Sequence, residues 1–291
     1  MNENGHNSQV VIAEPPPKRK RASWPILVIA VLFLSATCLT WYYTWFGRDL
    51  TDDEITTYLA DEKHPRHVQH ALLQIQQRLE QNKPVQQWHS RLIDLSHNPE
   101  TEFRMTVAWL MGNDNSAGDF HQALLTLLQD NEPLVRRNAA LALVRFGDGE
   151  GRETLLSILR PYAVAVSADG VLSSTLNAGS SVSRGTLLAR ISQSNGDLTE
   201  VRSPMPGKIE QVVKQDGSAI KKGEPLLMMT SDANSIWEAL RGLAVIGKSE
   251  DLGEIERYEK GVDALPERIK QQAASTTKAI QSRSVQSSLK S

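Results

Sequence analysis

The sequence of 291 residues contains a single cysteine, Cys38. One cysteine excludes an intramolecular disulfide and any zinc site built from several thiolates. The charges nearly cancel, with 32 lysines and arginines against 34 aspartates and glutamates. Because the chain lacks a basic excess, we expect no nucleic-acid partner. It also lacks a phosphate-binding glycine loop and a serine-hydrolase motif, and no spacing of carboxylates singles out a catalytic pair. We therefore expect no enzyme activity and no catalytic residues.

Aromatic residues are scarce outside one stretch, since seven of the 16 lie within residues 24–46. These 23 residues carry no charge. A helix of this length reaches roughly 34 Å, enough to cross a hydrocarbon core of about 30 Å. Basic residues at 18–21 precede the stretch, and acidic residues at 49, 52 and 53 follow it. The positive-inside rule therefore predicts a single-pass inner (plasma) membrane protein with a cytoplasmic N-terminus and a periplasmic remainder. A cleaved signal peptide is the alternative, but the long apolar run favours an uncleaved anchor.

Residues 51–160 show apolar residues at helical spacing and an internal repeat. The stretches 103–110 and 135–142 superpose at an offset of 32 residues. The sharpest copy begins near Pro133, contains the Val135–Arg136 pair followed by small residues, and closes at Gly147. This copy resembles a HEAT repeat. The resemblance implies an α-solenoid of stacked helical pairs, a class that acts as an interaction scaffold. The adjacent arginines 136 and 137 fit a structural role better than contact with an acidic partner.

Residues 162–231 are rich in glycine, serine and valine and fall into two similar halves. Gly170 and Gly207 are 37 residues apart, and two further glycine pairs are 38 apart. Glycines at matched places predict tight turns between short strands. The second half, from Ser203-Pro204 onward, closely resembles the biotinyl/lipoyl domain. The resemblance implies a flattened barrel of two small sheets related by a pseudo-twofold axis.

A carrier of that family presents a lysine at the hairpin between its halves. In this chain the position is occupied by Gly196, and no lysine lies between Arg184 and Met205. We therefore expect no biotin, lipoate or other cofactor. Lysine-free modules of this kind resemble those of membrane-fusion (periplasmic adaptor, HlyD-type) proteins. The chain departs from that pattern because no coiled coil separates its halves and helices, not β-barrels, follow.

The predicted organisation is multidomain, with the β domain inserted between helical pairs. It comprises a disordered cytoplasmic tail (1–23), a transmembrane helix (24–46), HEAT-like helical repeats (51–160), a biotinyl/lipoyl-like β domain (162–231), C-terminal HEAT-like helices (235–275) and a flexible tail (276–291).

One group of histidines near Pro65 is a candidate metal site. His64, His67 and His70 follow one another at intervals of three, with acidic residues at 61 and 62. On a helix, however, His64 and His70 are about 120° from sharing a face. The spacing favours a polar helix start, and we expect no metal.

These features favour a non-enzymatic, membrane-anchored envelope protein that acts as an adaptor-like or accessory subunit of an export, secretion or efflux system. Its partners would be the membrane and protein subunits of a transporter or envelope complex. The alternative is a general HEAT-repeat scaffold or assembly factor. An enzyme related to lyase-associated HEAT proteins would need a pocket with titratable groups, which the sequence does not reveal.

Overall fold

A computed structural model describes residues 24–44, 48–115, 117–262 and 265–288. The chain divides into two compact units, Met1–Thr51 and Asp52–Ser291. The predicted cytoplasmic tail of 1–23 lies outside the described residues.

In the first unit, helix α1 spans Trp24–Thr44. Its large apolar side chains are exposed, with Trp24 at 79 % and Phe33 at 71 %. The predicted transmembrane helix at 24–46 is not supported: within the described ranges, no helix combines the length and the apolar character that crossing a bilayer requires. The described side chains of α1 end at Thr40, and residues 45 and 46 lie outside the described part of the chain.

The second unit begins with seven helices that carry the predicted repeats. They are α2 (Asp52–Ala60), α3 (Pro65–Glu80), α4 (His89–Leu95), α5 (Thr101–Met111), α6 (Gly118–Leu127), α7 (Pro133–Arg145) and α8 (Arg152–Leu159). Proline occupies the first turn of α3 and α7, where its missing N–H has no helical partner to lose. The aliphatic residues at helical spacing are buried between neighbouring helices. This burial, more than helix propensity, stabilises such short helices.

The 32-residue period reappears in the side-chain contacts. Arg104 Nη1 donates to the backbone oxygens of Asn98 and of the residue after it. Arg136 Nη1 donates in the same way to the backbone oxygens of Asp130 and of its successor. In both copies the Asn98 or Asp130 side chain accepts the backbone N–H two residues later, at 2.9 and 2.8 Å. Arg136 therefore has the structural role predicted for it.

Small residues set the distance between the helices of this region. A Cβ atom on Gly112 would lie 2.7 Å from the Cβ of Ala142, which belongs to α7. A Cβ atom on Gly151 would lie 2.7 Å from the Cα of Ala140. Real side chains do not approach so closely. Any larger residue at these two positions would push the neighbouring helices apart.

Two four-stranded antiparallel sheets follow, and together they form the β unit (Tyr162–Ser231). Their strands are β1 (Tyr162–Ala165), β2 (Gly170–Thr175), β3 (Ser181–Val182), β4 (Leu187–Ser192), β5 (Leu198–Arg202), β6 (Gly207–Val212), β7 (Ala219–Ile220) and β8 (Pro225–Ser231). One sheet has the order β1-β8-β6-β3 and the other β5-β4-β2-β7. Strands whose numbers differ by four, one from each half of the β unit, take equivalent places in the two sheets. Each sheet therefore contains strands from both halves, so the two halves exchange places between the sheets.

The β unit consists of two small sheets over a shared core, as the resemblance implied, but among the described residues these sheets do not close into a barrel. Among the described residues, strand pairing stays within each sheet. Leu172 and Ile191 of one sheet and Ile209 and Leu227 of the other belong to one buried cluster. The alternation of buried and exposed residues along the strands places these side chains on the inner faces.

In the part of the chain described after the β unit, three α-helices follow: α9 (Ala233–Ile246), α10 (Leu252–Glu259) and α11 (Glu267–Ser288). The prediction of a flexible tail at 276–291 is wrong for residues 276–288, which continue α11. Thr276 is buried and its hydroxyl donates to the backbone oxygen of Leu240 at 2.9 Å. Further along, Ile280 is buried and Arg283 donates to the backbone oxygen of Gly247 at 2.8 Å. These contacts fix the segment against α9.

The helices on either side of the β unit pack against each other. Helix α9 lies against α7 and α8. Arg137 Nη1 of α7 donates to Ser235 Oγ of α9 at 2.8 Å. The buried hydroxyl of Tyr258 on α10 donates to the backbone oxygen of Leu159 at 2.7 Å. The β unit is therefore an excursion between α8 and α9, after which the chain rejoins the helical array.

Candidate functional site

The strongest candidate site is a groove between α5, α7 and α9, called here the α5/α7/α9 groove. Its volume is about 480 Å³. Its side chains come from both helical segments, since those from Trp109 to Arg145 precede the β unit and those from Glu238 to Val245 follow it. The residues that give it its character are Trp109, Arg137, Arg145, Glu238, Arg241 and Val245. The groove exists because α9 returns to the array beside α7.

Two apolar side chains of the groove are open to solvent. Trp109 is 38 % exposed and Val245 is 54 % exposed. Among the aromatic residues described from residue 48 onward, only Trp109 is classed as exposed. Trp88, by contrast, is buried, and its indole N–H donates to Thr56 Oγ1 at 3.0 Å. An accessible tryptophan in a groove is the kind of residue that anchors a protein partner.

Three arginines make the groove positively charged. Arg137 donates to Ser235 Oγ at 2.8 Å and to Asn138 Oδ1. Arg145 donates to Asn113 Oδ1. The Arg241 guanidinium lies 4.6 Å from the ring centroid of Trp237.

Within the described part of the chain, none of these three guanidinium groups forms an ion pair with a carboxylate. Glu238 is the one acidic side chain among the residues that line the groove. The lining therefore carries a net charge of about +2, in a chain whose formal net charge is −2.

A glycine in the lining of the groove, Gly242, sets how closely α9 packs against its neighbours. A Cβ atom on Gly242 would lie 2.5 Å from Leu155 Cδ1 and 3.4 Å from Val144 Cγ2. The absence of a side chain lets α9 lie directly on α7 and α8.

The sequence did not predict this site, because its two sides belong to segments separated by the whole β unit. The signal available was Trp109 itself, an aromatic residue at a position that the 32-residue repeat gives to Leu141.

The structure brings together two of the three predicted histidines. His64 Nδ1 and His67 Nδ1 lie 2.8 and 2.7 Å from the same Asp61 oxygen, Oδ2. The ring of His67 also stacks on Tyr58, with centroids 4.3 Å apart. Among the described residues, Asp61, His64 and His67 form the group with ligand atoms close enough to hold a metal ion, and His70 is not part of it.

The geometry of this group is that of a hydrogen-bonded cluster. The hydrogen bonds from His64 and then His67 hold the pKa of Asp61 below its usual value, although burial opposes this. Each Nδ1 uses Asp61 as its hydrogen-bond partner, so a metal held by Asp61 and these two Nδ1 atoms would have to displace these hydrogen bonds. That no metal binds here stays a prediction.

Gly196 lies in the hairpin between β4 and β5, where the resemblance placed a carrier lysine. Its φ of +88° is a left-handed conformation that favours glycine. The backbone N–H of Gln193 donates to the oxygen of Asp197 at 2.9 Å, and Asn195 Oδ1 accepts the N–H of Asp197 at 3.1 Å. The hairpin is thus closed by its own hydrogen bonds. Since the hairpin holds no lysine amine, amide attachment of biotin or lipoate has no acceptor there.

Two ionisable groups with displaced pKa values, Asp130 and Arg160, belong to the helical scaffold. Burial opposes ionisation of Asp130, but hydrogen bonds from Arg104 and from the backbone N–H of Glu132 outweigh it and lower the pKa of Asp130. Hydrogen bonds to Glu153 and Glu254 raise the pKa of Arg160. These groups join neighbouring helices, and their arrangement suits structural ion pairs.

Comparison with known proteins identifies the helical part. A family model for HEAT repeats matches residues 90–171. The chain contains HEAT-like repeats. The match covers α4 to α8 and extends over β1 to the start of β2, where the sheets interrupt the array.

Comparisons with curated proteins and with solved structures do not assign the chain to a further family. No curated protein matches the chain. Among solved structures, the chain is similar to a single-chain, multi-domain long-chain acyl-CoA carboxylase, with 15 % identity and a TM-score of 0.24. That similarity covers 35 % of this chain and 11 % of the other protein. At this score the similarity supports no conclusion about fold or function.

Proposed function

We propose that this chain is a non-enzymatic interaction protein whose HEAT-like helices hold a partner protein in the α5/α7/α9 groove. The observation that carries the proposal is the exposed Trp109 in a groove lined by three arginines without carboxylate partners among the described residues. Tryptophan and arginine are the residues most enriched among the anchors of protein interfaces. HEAT repeats offer a scaffold for such surfaces, but the function rests on the groove and not on the fold alone.

Quantitative affinity purification from detergent extracts tests this proposal. The full-length chain is compared with the double variant Trp109→Ser, Val245→Ser and with the matched control Leu198→Ser. Leu198 is 63 % exposed on β5, away from the groove. We expect the groove variant to lose specific partners that the wild type and the control both retain. Equal recovery by all three proteins would contradict the proposal.

The narrower proposal is that the chain works at a membrane as an adaptor-like or accessory subunit of an export system. The exposed apolar surface of α1 supports a position beside lipid or apolar protein. A general scaffold for another envelope complex is the alternative. The identity of the partners lost in the groove variant distinguishes the two roles: transporter subunits support the export role, and other envelope proteins support the scaffold.

We propose further that the β unit is related to lysine-free biotinyl/lipoyl domains. The exchange of its two halves between the sheets supports this proposal, since it is the arrangement expected of a pseudo-twofold module. Intact-mass measurement after coexpression with a biotin or lipoate ligase tests the absence of a carrier function. We expect an unchanged mass, and an added cofactor mass would contradict the proposal.

A further inference from the structure

We propose that the α5/α7/α9 groove takes an acidic segment of a partner protein, which inserts one apolar side chain beside Trp109. This inference rests on the proposed function and specifies the chemistry of the partner. It also changes the interpretation of Arg137, which the sequence alone favoured as a purely structural residue.

The charge of the groove favours an acidic occupant. Arg137, Arg145 and Arg241 face the groove against one glutamate, Glu238. Their guanidinium groups contact neutral acceptors or an aromatic ring, so each keeps N–H donors for a carboxylate. Arginine binds carboxylates through two parallel hydrogen bonds. This geometry selects a negatively charged segment and also fixes its orientation.

The arginines are also held in place before a partner arrives. Arg137 is anchored on Ser235 across the contact between α7 and α9. Arg145 is anchored on Asn113, and Arg241 stacks on Trp237. Groups that are already oriented lose less side-chain entropy when they bind.

The apolar part of the groove favours a segment with one hydrophobic anchor. Trp109 of α5 and Val245 of α9 are exposed, and Leu141 of α7 is half-buried in the same lining. An apolar side chain placed among them would cover surface that is otherwise left in water. A polymer that carries only charged groups would satisfy the arginines but leave this surface without a matching group.

The charge of the N-terminal segment argues against self-occupation. Residues 18–21 are all basic, so this part of the chain would be repelled by the three arginines. The occupant we propose is a separate protein and not residues 18–21 of this chain.

Fluorescence anisotropy with synthetic peptides tests the inference on the full-length chain in neutral detergent. The probe is a labelled peptide of glutamate and aspartate with one central leucine. One matched peptide replaces the leucine with serine, another replaces the acidic residues with lysine, and a single-stranded oligonucleotide serves as the polyanion. Trp109→Ala and Arg241→Glu are the groove variants. Leu198→Ala and Arg66→Glu are the controls, since both residues are exposed on other elements.

We expect the acidic leucine peptide to bind and the lysine peptide not to bind. Trp109→Ala should weaken binding by about 30-fold, the effect typical of an interface anchor. Arg241→Glu should weaken it by about tenfold or more, and added salt should weaken it further. The control variants should bind like the wild type.

Three outcomes would overturn the inference. Equal binding of the leucine and serine peptides would refute the apolar anchor, and stronger binding of the oligonucleotide would replace the protein partner with a polyanion. Absence of peptide binding, with partners still lost from the Trp109→Ser, Val245→Ser variant, would refute the acidic chemistry and leave the proposed function standing. If that variant keeps all its partners, the proposed function itself fails.

Discussion

Asp130 joins two successive repeats, and its replacement measures what holds the array together. Its carboxylate accepts hydrogen bonds from Arg104 Nε at 2.7 Å and Arg104 Nη2 at 3.1 Å. The same group accepts the backbone N–H of Glu132 at 2.8 Å. The Asp130 and Arg104 side chains are only 9 % and 14 % exposed, so solvent weakens the pair little.

Asp130→Asn keeps an oxygen for the Glu132 N–H, as Asn98 does one repeat earlier at 2.9 Å. It loses the charge that faces Arg104. We expect the free energy of unfolding to fall by about 2–3 kcal/mol, because the lost bonds are charge-assisted. Asp130→Ala also removes the acceptor for the Glu132 N–H and should cost about 3–5 kcal/mol.

The pH dependence separates charge from packing. The folded-state pKa of Asp130 is lowered, so its contribution is complete above the unfolded-state pKa of about 3.9 and disappears as the pH falls through the folded-state value. Urea unfolding followed by circular dichroism should show a constant gap between wild type and Asp130→Asn from about pH 7 to pH 5. The gap should shrink below about pH 4. A gap below about 0.5 kcal/mol near pH 7, or one that does not depend on pH, would show that the charge of Asp130 does not stabilise the array.

The remaining predictions concern the contacts between the helical segments and the histidine group. Gly242→Leu should destabilise the protein by about 1–3 kcal/mol in the same urea assay, since its side chain would collide with Leu155; an unchanged midpoint would mean that α9 lies elsewhere. Tyr258→Phe should cost about 1–2 kcal/mol, because the buried backbone oxygen of Leu159 loses its donor. Calorimetric titration with Zn²⁺ should give no binding heat at Asp61, His64 and His67; a one-site isotherm that disappears in His67→Gln would contradict this.

Features that repeat along the chain were predictable from the sequence. Two segments of the sequence are similar at an offset of 32 residues, and the same offset reappears in the matching contacts of Arg104 and Arg136. The two halves of the β unit were visible as matched glycines, and the strand orders repeat in the same way. Each copy of a repeated unit makes equivalent packing contacts, so similar residues recur at equivalent positions of the sequence.

The end of α11 was not predicted, although its pattern is present. Its buried residues Ile269, Ala273, Thr276 and Ile280 follow the spacing of one helix face. Two of the four residues are alanine and threonine, so the helix face is only weakly apolar. The sequence therefore predicts a polar, flexible tail. Tertiary contacts supply what the composition lacks, since Thr276 bonds the backbone of α9.

The groove could not be predicted because it depends on long-range packing. Arg137 and Ser235 are 98 residues apart, and nothing local to either residue indicates that they touch. The arginine pair at 136 and 137 also illustrates the limit of local reasoning. A structural role was predicted for both, but the partners were not: Arg136 donates to the loop before α7, whereas Arg137 donates to a helix that follows the β unit.

Site-specific photo-crosslinking in cells shows whether the α5/α7/α9 groove holds a partner protein. A benzophenone amino acid is placed singly at Trp109 on α5, at Val245 on α9, and at Leu198 on the β unit as the control. All three positions are exposed. We expect positions 109 and 245, on the two sides of the groove, to capture the same protein, and position 198 not to capture it. Capture of that protein from position 198 alone, or of unrelated proteins from 109 and 245, would contradict this expectation.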